Sequence, residues 1–316
     1  MRLLVLGGTS FVGRAIVEEA LSRGDDVALF SRGRTGTSLF PDVPRLIGDR
    51  DTGDYVSLSG GEWDAVVDVS AYVPRHVREA GEAVGDRVGR YLFISTGSVY
   101  DRLQAPVAGM GEDAPRLTPE TGTEEVTGAT YGPLKVACED EVTSRFGDRA
   151  TIVRPGVVGG PHDPTDRFTW YVRRAARGGR VALPARPDQP VQVVDSRDLA
   201  RLVVTLLADD RPGTYNAVGP AEPTTLQQLL AVCAVAAGTT VEVVPLELDP
   251  TFPLALGDAS WDPMFRRSAE RARAVGLTET PLLQTATDVL TWDRDRGEPE
   301  LSVGPSPGRE AELLGG

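Results

Sequence analysis

Tyr131 and Lys135 stand four residues apart in Tyr131-Gly132-Pro133-Leu134-Lys135, and Lys135 is the single lysine in a chain whose other strongly basic side chains are all arginine. A compact, rotatable ammonium hydrogen-bonds a sugar hydroxyl and lowers the pKa of a nearby phenol, and the planar fork of arginine suits neither task as well. The bland alternative is a solvated helix lysine. Keeping one ammonium beside a phenol at helical spacing favours the chemical reading.

A second pattern lies at the N-terminus, where Arg2-Leu3-Leu4-Val5-Leu6 reads as a buried parallel strand running into Gly7-Gly8-Thr9-Ser10-Phe11-Val12-Gly13-Arg14 and then an amphipathic helix. Strand, glycine turn and helix N-terminus together make an anion site, since free backbone N–H groups and the helix dipole both favour negative charge there. Gly7 permits the tight turn and Gly13 the close packing of helix on strand, while Ser10 stands where a second glycine is usual. So early a turn after a strand favours dinucleotide binding, with Thr9, Ser10, Phe11 and Val12 supplying the bed.

Composition limits the remaining choices. The chain has 316 residues, 41% hydrophobic and 25% charged, as ordinary globular proteins do. A net charge of −13 argues against nucleic acid or an anionic membrane as partner, since such surfaces are bound by clustered Lys and Arg. No apolar run reaches membrane-spanning length and the N-terminus does not read as a signal peptide, so a cytoplasmic location is expected. Cys138 and Cys233 are isolated, with His76 and His162 the only histidines, and neither a disulfide framework nor a metal site is expected.

Around these residues, short apolar runs alternate with helical patterns at βαβ spacing. Strands are expected at 26–30, near 45–47, within 63–69, at 89–95 and at 149–154, giving an α/β, Rossmann-like, doubly wound parallel sheet. Ligands collect beyond the carboxyl ends of such strands, which places Gly7, Ser31, Asp49, Ser70, Thr96 and Pro155 in the bed, with Arg50 and Ala71 beside them. The expected division is a dinucleotide-binding domain over 1–154, a smaller substrate-binding lobe over 155–295 interleaved with returns to the sheet at 196–207 and 214–217, and a loosely held tail over 296–316.

The glycine turn, Phe93-Ile94-Ser95-Thr96-Gly97-Ser98-Val99-Tyr100 and the Tyr131/Lys135 pair, in this order, resemble the extended short-chain dehydrogenase/reductases, in the NAD-dependent epimerase/dehydratase branch, over about residues 1 to 295. The resemblance implies that Thr96 is the hydroxyl holding the substrate oxygen, with Ser98 a second candidate, and that Asp49 contacts adenine. It also implies a homodimer through the helices beside Tyr131. Residues four apart share a helix face, so Tyr131 and Lys135 can both reach a nicotinamide ribose and the reacting oxygen. The phenol is then expected to titrate below its usual value of about 10 and to serve as acid in carbonyl reduction or base in alcohol oxidation, a role worth roughly 10²–10⁴-fold.

Cofactor and substrate follow from local departures. NAD-preferring relatives carry an acid after the second strand; here Ser31 takes its place with Arg32 and Arg34 beside it, which favours NADP over NAD. Nucleotide-sugar members place an asparagine where Val157 stands and an arginine where Val191 stands, so a small carbonyl or alcohol is favoured over a nucleotide sugar unless Arg167, Arg173 or Arg174 compensates. Substrate walls are expected from Tyr72, Ser98, Tyr100, His162, Arg167 and Trp170. The favoured reading is an NADP-dependent oxidoreductase acting on a small-molecule substrate. The alternatives are an epimerase or dehydratase of a sugar or sugar nucleotide, and a non-catalytic nucleotide-sensing or RNA-associated protein.

Overall fold

The computed structural model describes residues 1–104, 108–249 and 251–315. Its apolar runs form β1 (Arg2–Leu6), β2 (Asp26–Ser31), β3 (Arg45–Ile47), β4 (Trp63–Asp68), β5 (Val88–Ile94) and β6 (Ala150–Pro155). With Gly213–Ala217 they make one seven-stranded parallel sheet in the order Gly213–Ala217, β6, β5, β4, β1, β2, β3. The strand order reverses between β1 and β4, and the crevice outside that switch point is where such sheets bind ligands. Strands buried on both faces explain the unbroken Val/Leu/Ile runs.

Each face is covered by helices. Helix α1 (Phe11–Ser22) packs with Ser196–Ala208 on one side, around Ile16, Val17, Leu199 and Val203. On the other side α2 (Pro74–Val84) packs with α3 (Tyr131–Phe146), around Val77, Ala80, Cys138 and Val142. The helix Ser196–Ala208 and the strand Gly213–Ala217 thus come back to the sheet from the C-terminal half of the chain.

A separate core of Phe168, Tyr171, Leu226, Leu230, Phe252 and Val289 fills the C-terminal lobe, which includes α4 (Arg167–Ala176) and three two-stranded ribbons. The tail departs from expectation. Residues Pro307–Leu313 form a helix docked on the lobe, because buried Glu310 takes Arg174 at 2.5 Å and Arg177 at 2.7 Å. Among the described residues no helix is long and apolar enough to cross a membrane.

Candidate active site

A cavity of about 790 Å³ runs along the carboxyl ends of β1, β2, β4 and β5 and is closed from above by the C-terminal lobe. At one end lies the start of α1. Ser10 gives no side-chain cap there and no acid occupies the first turn. The first backbone bond runs from Arg14 N–H to the Ser10 carbonyl, so the N–H groups of Phe11, Val12 and Gly13 lack intrahelical partners. A Cβ on Gly13 would collide with the Gly7 carbonyl, and one on Gly7, at φ 95°, would sit 2.8 Å from Ser70 Cβ. The turn is thus drawn tight against the sheet with bare donors facing the cavity, an arrangement fitted to a pyrophosphate.

At the end of β2, Ser31, Arg32 and Arg34 line the cavity. Arg32 is within 3.4 Å of Asp51 and Arg34 within 3.8 Å of Asp49, loose pairs that leave both guanidinium groups half or more exposed. Asp49 also lines the cavity and caps the short turn behind it by accepting from Asp51 N–H at 3.1 Å.

At the other end Thr96, Ser98, Tyr131 and Lys135 meet. Thr96 lies two residues past the end of β5 and accepts from Ser98 N–H at 3.1 Å, which fixes its hydroxyl. Lys135 is buried and donates to the carbonyls of Ala71 at 2.9 Å and Ile94 at 2.8 Å, leaving one of its three N–H groups without a partner among the described residues. Burial lowers its pKa to about 8 against the attraction of Asp68 and Glu139. The Tyr131 phenol differs from expectation: burial raises its pKa, and the Thr96 hydroxyl only partly opposes this. The ammonium that was to lower it is tied to two carbonyls on the sheet side. Tyr72 stands across from Tyr131, ring centroids 6.3 Å apart.

Gly7, Thr9, Ser10, Phe11, Val12, Ser70, Pro155, Val157 and Arg167 also line the cavity. Four expected contacts are displaced. Gly13 packs helix on strand and offers the cavity only its backbone N–H, while Ala71 is fully buried with its carbonyl given to Lys135. Tyr100 is buried, donating to Asn216 at 2.6 Å and accepting from Arg154 at 3.0 Å. Trp170 packs edge-on against Tyr171 and Phe252 because the apolar stripe of α4 faces the lobe core. His162, at φ 70° in a turn that carries it off the cleft, lies 3.3 Å from Arg14 and against Trp292. Arg50 belongs to the floor: both its Nη atoms bond Asp68 at 2.6 Å, and they also reach Ser70 and the His76 carbonyl. Arg173 and Arg174 are committed to Asp293 and Glu310, so of the three compensating arginines only Arg167 reaches the cavity.

The sequence reading missed the roof, formed by Leu256, Trp261, Met264, Phe265 and Arg267. These residues lie in and just after a Pro-rich stretch with no motif or period to mark them; the one available signal was an apolar cluster in an otherwise irregular segment. Among the described residues no group of three or more His, Cys, Asp or Glu is placed to hold a metal ion.

The model of the NAD dependent epimerase/dehydratase family matches residues 62–218, the span that carries β4 to Gly213–Ala217 and all three of Thr96, Tyr131 and Lys135. Residues 62–218 therefore match an NAD-dependent epimerase/dehydratase domain. A chloroplast stem-loop binding protein of 41 kDa from Arabidopsis thaliana is 25% identical over 94% of this chain and 80% of its own. The 2-alkyl-3-oxoalkanoate reductase of Stenotrophomonas maltophilia is 26% identical over 64% of each chain. The fold is that of UDP-glucose 4-epimerase from Thermus thermophilus, solved with NAD, at TM-score 0.65 and 22% identity over 93% of this chain and 99% of that one. The match of residues 62–218 supports an NAD(P)-dependent enzyme of the epimerase, dehydratase or reductase kind, with a nicotinamide dinucleotide as cofactor class.

Proposed function

We propose that this epimerase/dehydratase-family protein is an NADP-dependent oxidoreductase acting on a small carbonyl or alcohol. The observation that carries the reading is the meeting of Thr96 and Tyr131 in one cavity whose opposite end is the uncapped start of α1. The N–H groups of that turn would hold the pyrophosphate, Lys135 the nicotinamide ribose, and Arg32 and Arg34 a 2′-phosphate. When bound, the dinucleotide supplies or accepts the hydride.

The chain's own task is the proton. Tyr131, its pKa raised by burial, is protonated at neutral pH, the state required of an acid in carbonyl reduction. Its Oη gives the proton to the carbonyl oxygen as that oxygen becomes a hydroxyl, and Thr96 orients the same oxygen. Met264 and Phe265 in the roof would help to keep water from that point. Val157 lies on the cavity and Val191 is fully buried, so the two positions that serve a diphosphate in nucleotide-sugar enzymes offer no polar group here. The net charge of −13 gives a nucleic-acid backbone little to bind.

The test follows reduced nicotinamide by absorbance with a panel of ketones and aldehydes. Net loss of NADPH in proportion to product supports the oxidoreductase; a substrate rearranged with no net loss would assign an internal redox cycle, as in an epimerase. Arg32→Ala is expected to weaken NADPH roughly tenfold, the order of a charge-assisted hydrogen bond, with little change for NADH.

A further inference from the structure

Arg267 enters the cavity from the roof and is 7% exposed. Its Nε has no partner, and among the described residues none of its guanidinium nitrogens is paired with a carboxylate. The nearby titratable groups are Arg154, itself committed to Glu139 at 2.7 Å, and the phenol of Tyr100, which burial keeps neutral. Burial, with Arg154 adding to it, lowers the guanidinium pKa to about 10, so the group remains charged at neutral pH. A buried cation without a counterion costs folding free energy, and such a cost persists where the charge has another use.

The direction of the side chain is built in. Gln192, almost fully buried, accepts from the Arg267 N–H at 2.9 Å and donates to the Arg267 carbonyl at 3.0 Å, clamping the backbone on both sides. The next residue is held as well, with Ser268 N–H donating to Met110. The fork lies against Gly97, where any Cβ would collide with Nη1, and its Nη2 stands beside Gly156. Gly97 directly follows Thr96, so the free donors lie at the substrate end of the cavity, away from the start of α1.

We propose that Arg267 is a substrate-binding residue that takes a carboxylate on the molecule being reduced, making the substrate an oxo acid with an apolar body. This rests on the oxidoreductase reading for its direction. A carboxylate matches two parallel N–H groups of one fork. A phosphate dianion would call for further donors, which the apolar roof of Leu256, Met264 and Phe265 does not provide. The apolar body lies against that roof.

The experiment measures binding, in saturating NADP⁺, of α-, β- and γ-oxo acids of medium chain length and of their methyl esters, to wild type, Arg267→Gln and Arg267→Lys. Wild type is expected to prefer at least one acid to its ester by about 30-fold, as for a desolvated charge pair. Arg267→Gln loses that preference, Arg267→Lys recovers part of it, and NADP⁺ affinity stays within about twofold. Equal binding of acids and esters, no binding of any acid, a preference kept by Arg267→Gln, or a matching loss of NADP⁺ affinity would each overturn the assignment. Removing an unpaired buried charge should leave Tm unchanged or raised, so misfolding does not mimic the expected result. Acids that bind through Arg267 without consuming NADPH would leave this inference standing and remove the hydride-transfer reading instead.

Discussion

Replacing Lys135 by methionine separates the cost of this lysine in the fold from its use in the site. Its ammonium is fully enclosed and its pKa falls from 10.5 to about 8. The unfolded chain therefore holds this proton over a pH range in which the folded chain has released it. Stability rises with pH wherever the unfolded state binds more protons, so wild type gains on going from pH 8 to 10.5. At 1.36 kcal/mol per pKa unit the gain is about 3 kcal/mol, and below pH 8, where both states are protonated, the full penalty remains. Lys135→Met has no such group. The difference in unfolding free energy between the two proteins, from urea titrations at several pH values, should be flat up to about pH 8 and then shift by about 3 kcal/mol in favour of wild type by pH 10.5. Other titrating groups, the unfolded chain's Cys138 thiol among them, are common to both proteins and largely cancel in the difference, and the folded Cys138, with a pKa pushed up to about 12, titrates above the window. A difference that does not vary between pH 7 and pH 10.5 would refute the enclosure of the ammonium and its proposed use.

Two further substitutions test the floor and the turn. Arg50→Met strands the Asp68 carboxylate, which burial would raise but which Arg50 and Tyr91 hold below its ordinary pKa. A loss of about 3–5 kcal/mol is expected in urea unfolding, together with weaker dinucleotide binding as the Ser70 and Ala71 segment loosens. Because the folded carboxyl titrates below its unfolded value, the wild-type advantage should shrink as pH falls through that lowered value. A loss under about 1 kcal/mol would refute the pairing. Gly13→Ala forces a methyl into the Gly7 carbonyl, and fluorescence titration with NADPH should show binding reduced by at least about tenfold, with unchanged binding counting against the phosphate turn.

The sheet was legible because β1, β2, β4 and β6 each carry a short run of apolar residues and reach a glycine, serine or proline at or within two residues of their carboxyl ends, a pattern that suits buried parallel strands. Thr96, Tyr131 and Lys135 were legible because their spacing survives in the chain itself. What lay beyond sequence was direction. Arg167 and Trp170 stand one helical turn apart in α4, and only packing against Phe252 decides that the tryptophan turns to the core while the arginine reaches the cavity. Tyr100 was drawn out of the cleft by Asn216, more than a hundred residues away in sequence, a partnership no local pattern announces. The tail reads as polar and Gly/Pro-rich, yet one glutamate binding two arginines of the lobe is enough to dock its last helix. Arg267 was one arginine among many until Gln192 and Gly97 showed where its fork is held.

The central claim is that Tyr131 moves the proton while a bound nicotinamide moves hydride, and Tyr131→Phe tests it most directly by single-turnover oxidation of bound NADPH with a substrate found in the ketone panel. The expected result is NADPH affinity within about twofold of wild type and a hydride-transfer rate lower by roughly 10²–10⁴-fold. A rate within about threefold of wild type, with the dinucleotide still bound, would contradict it.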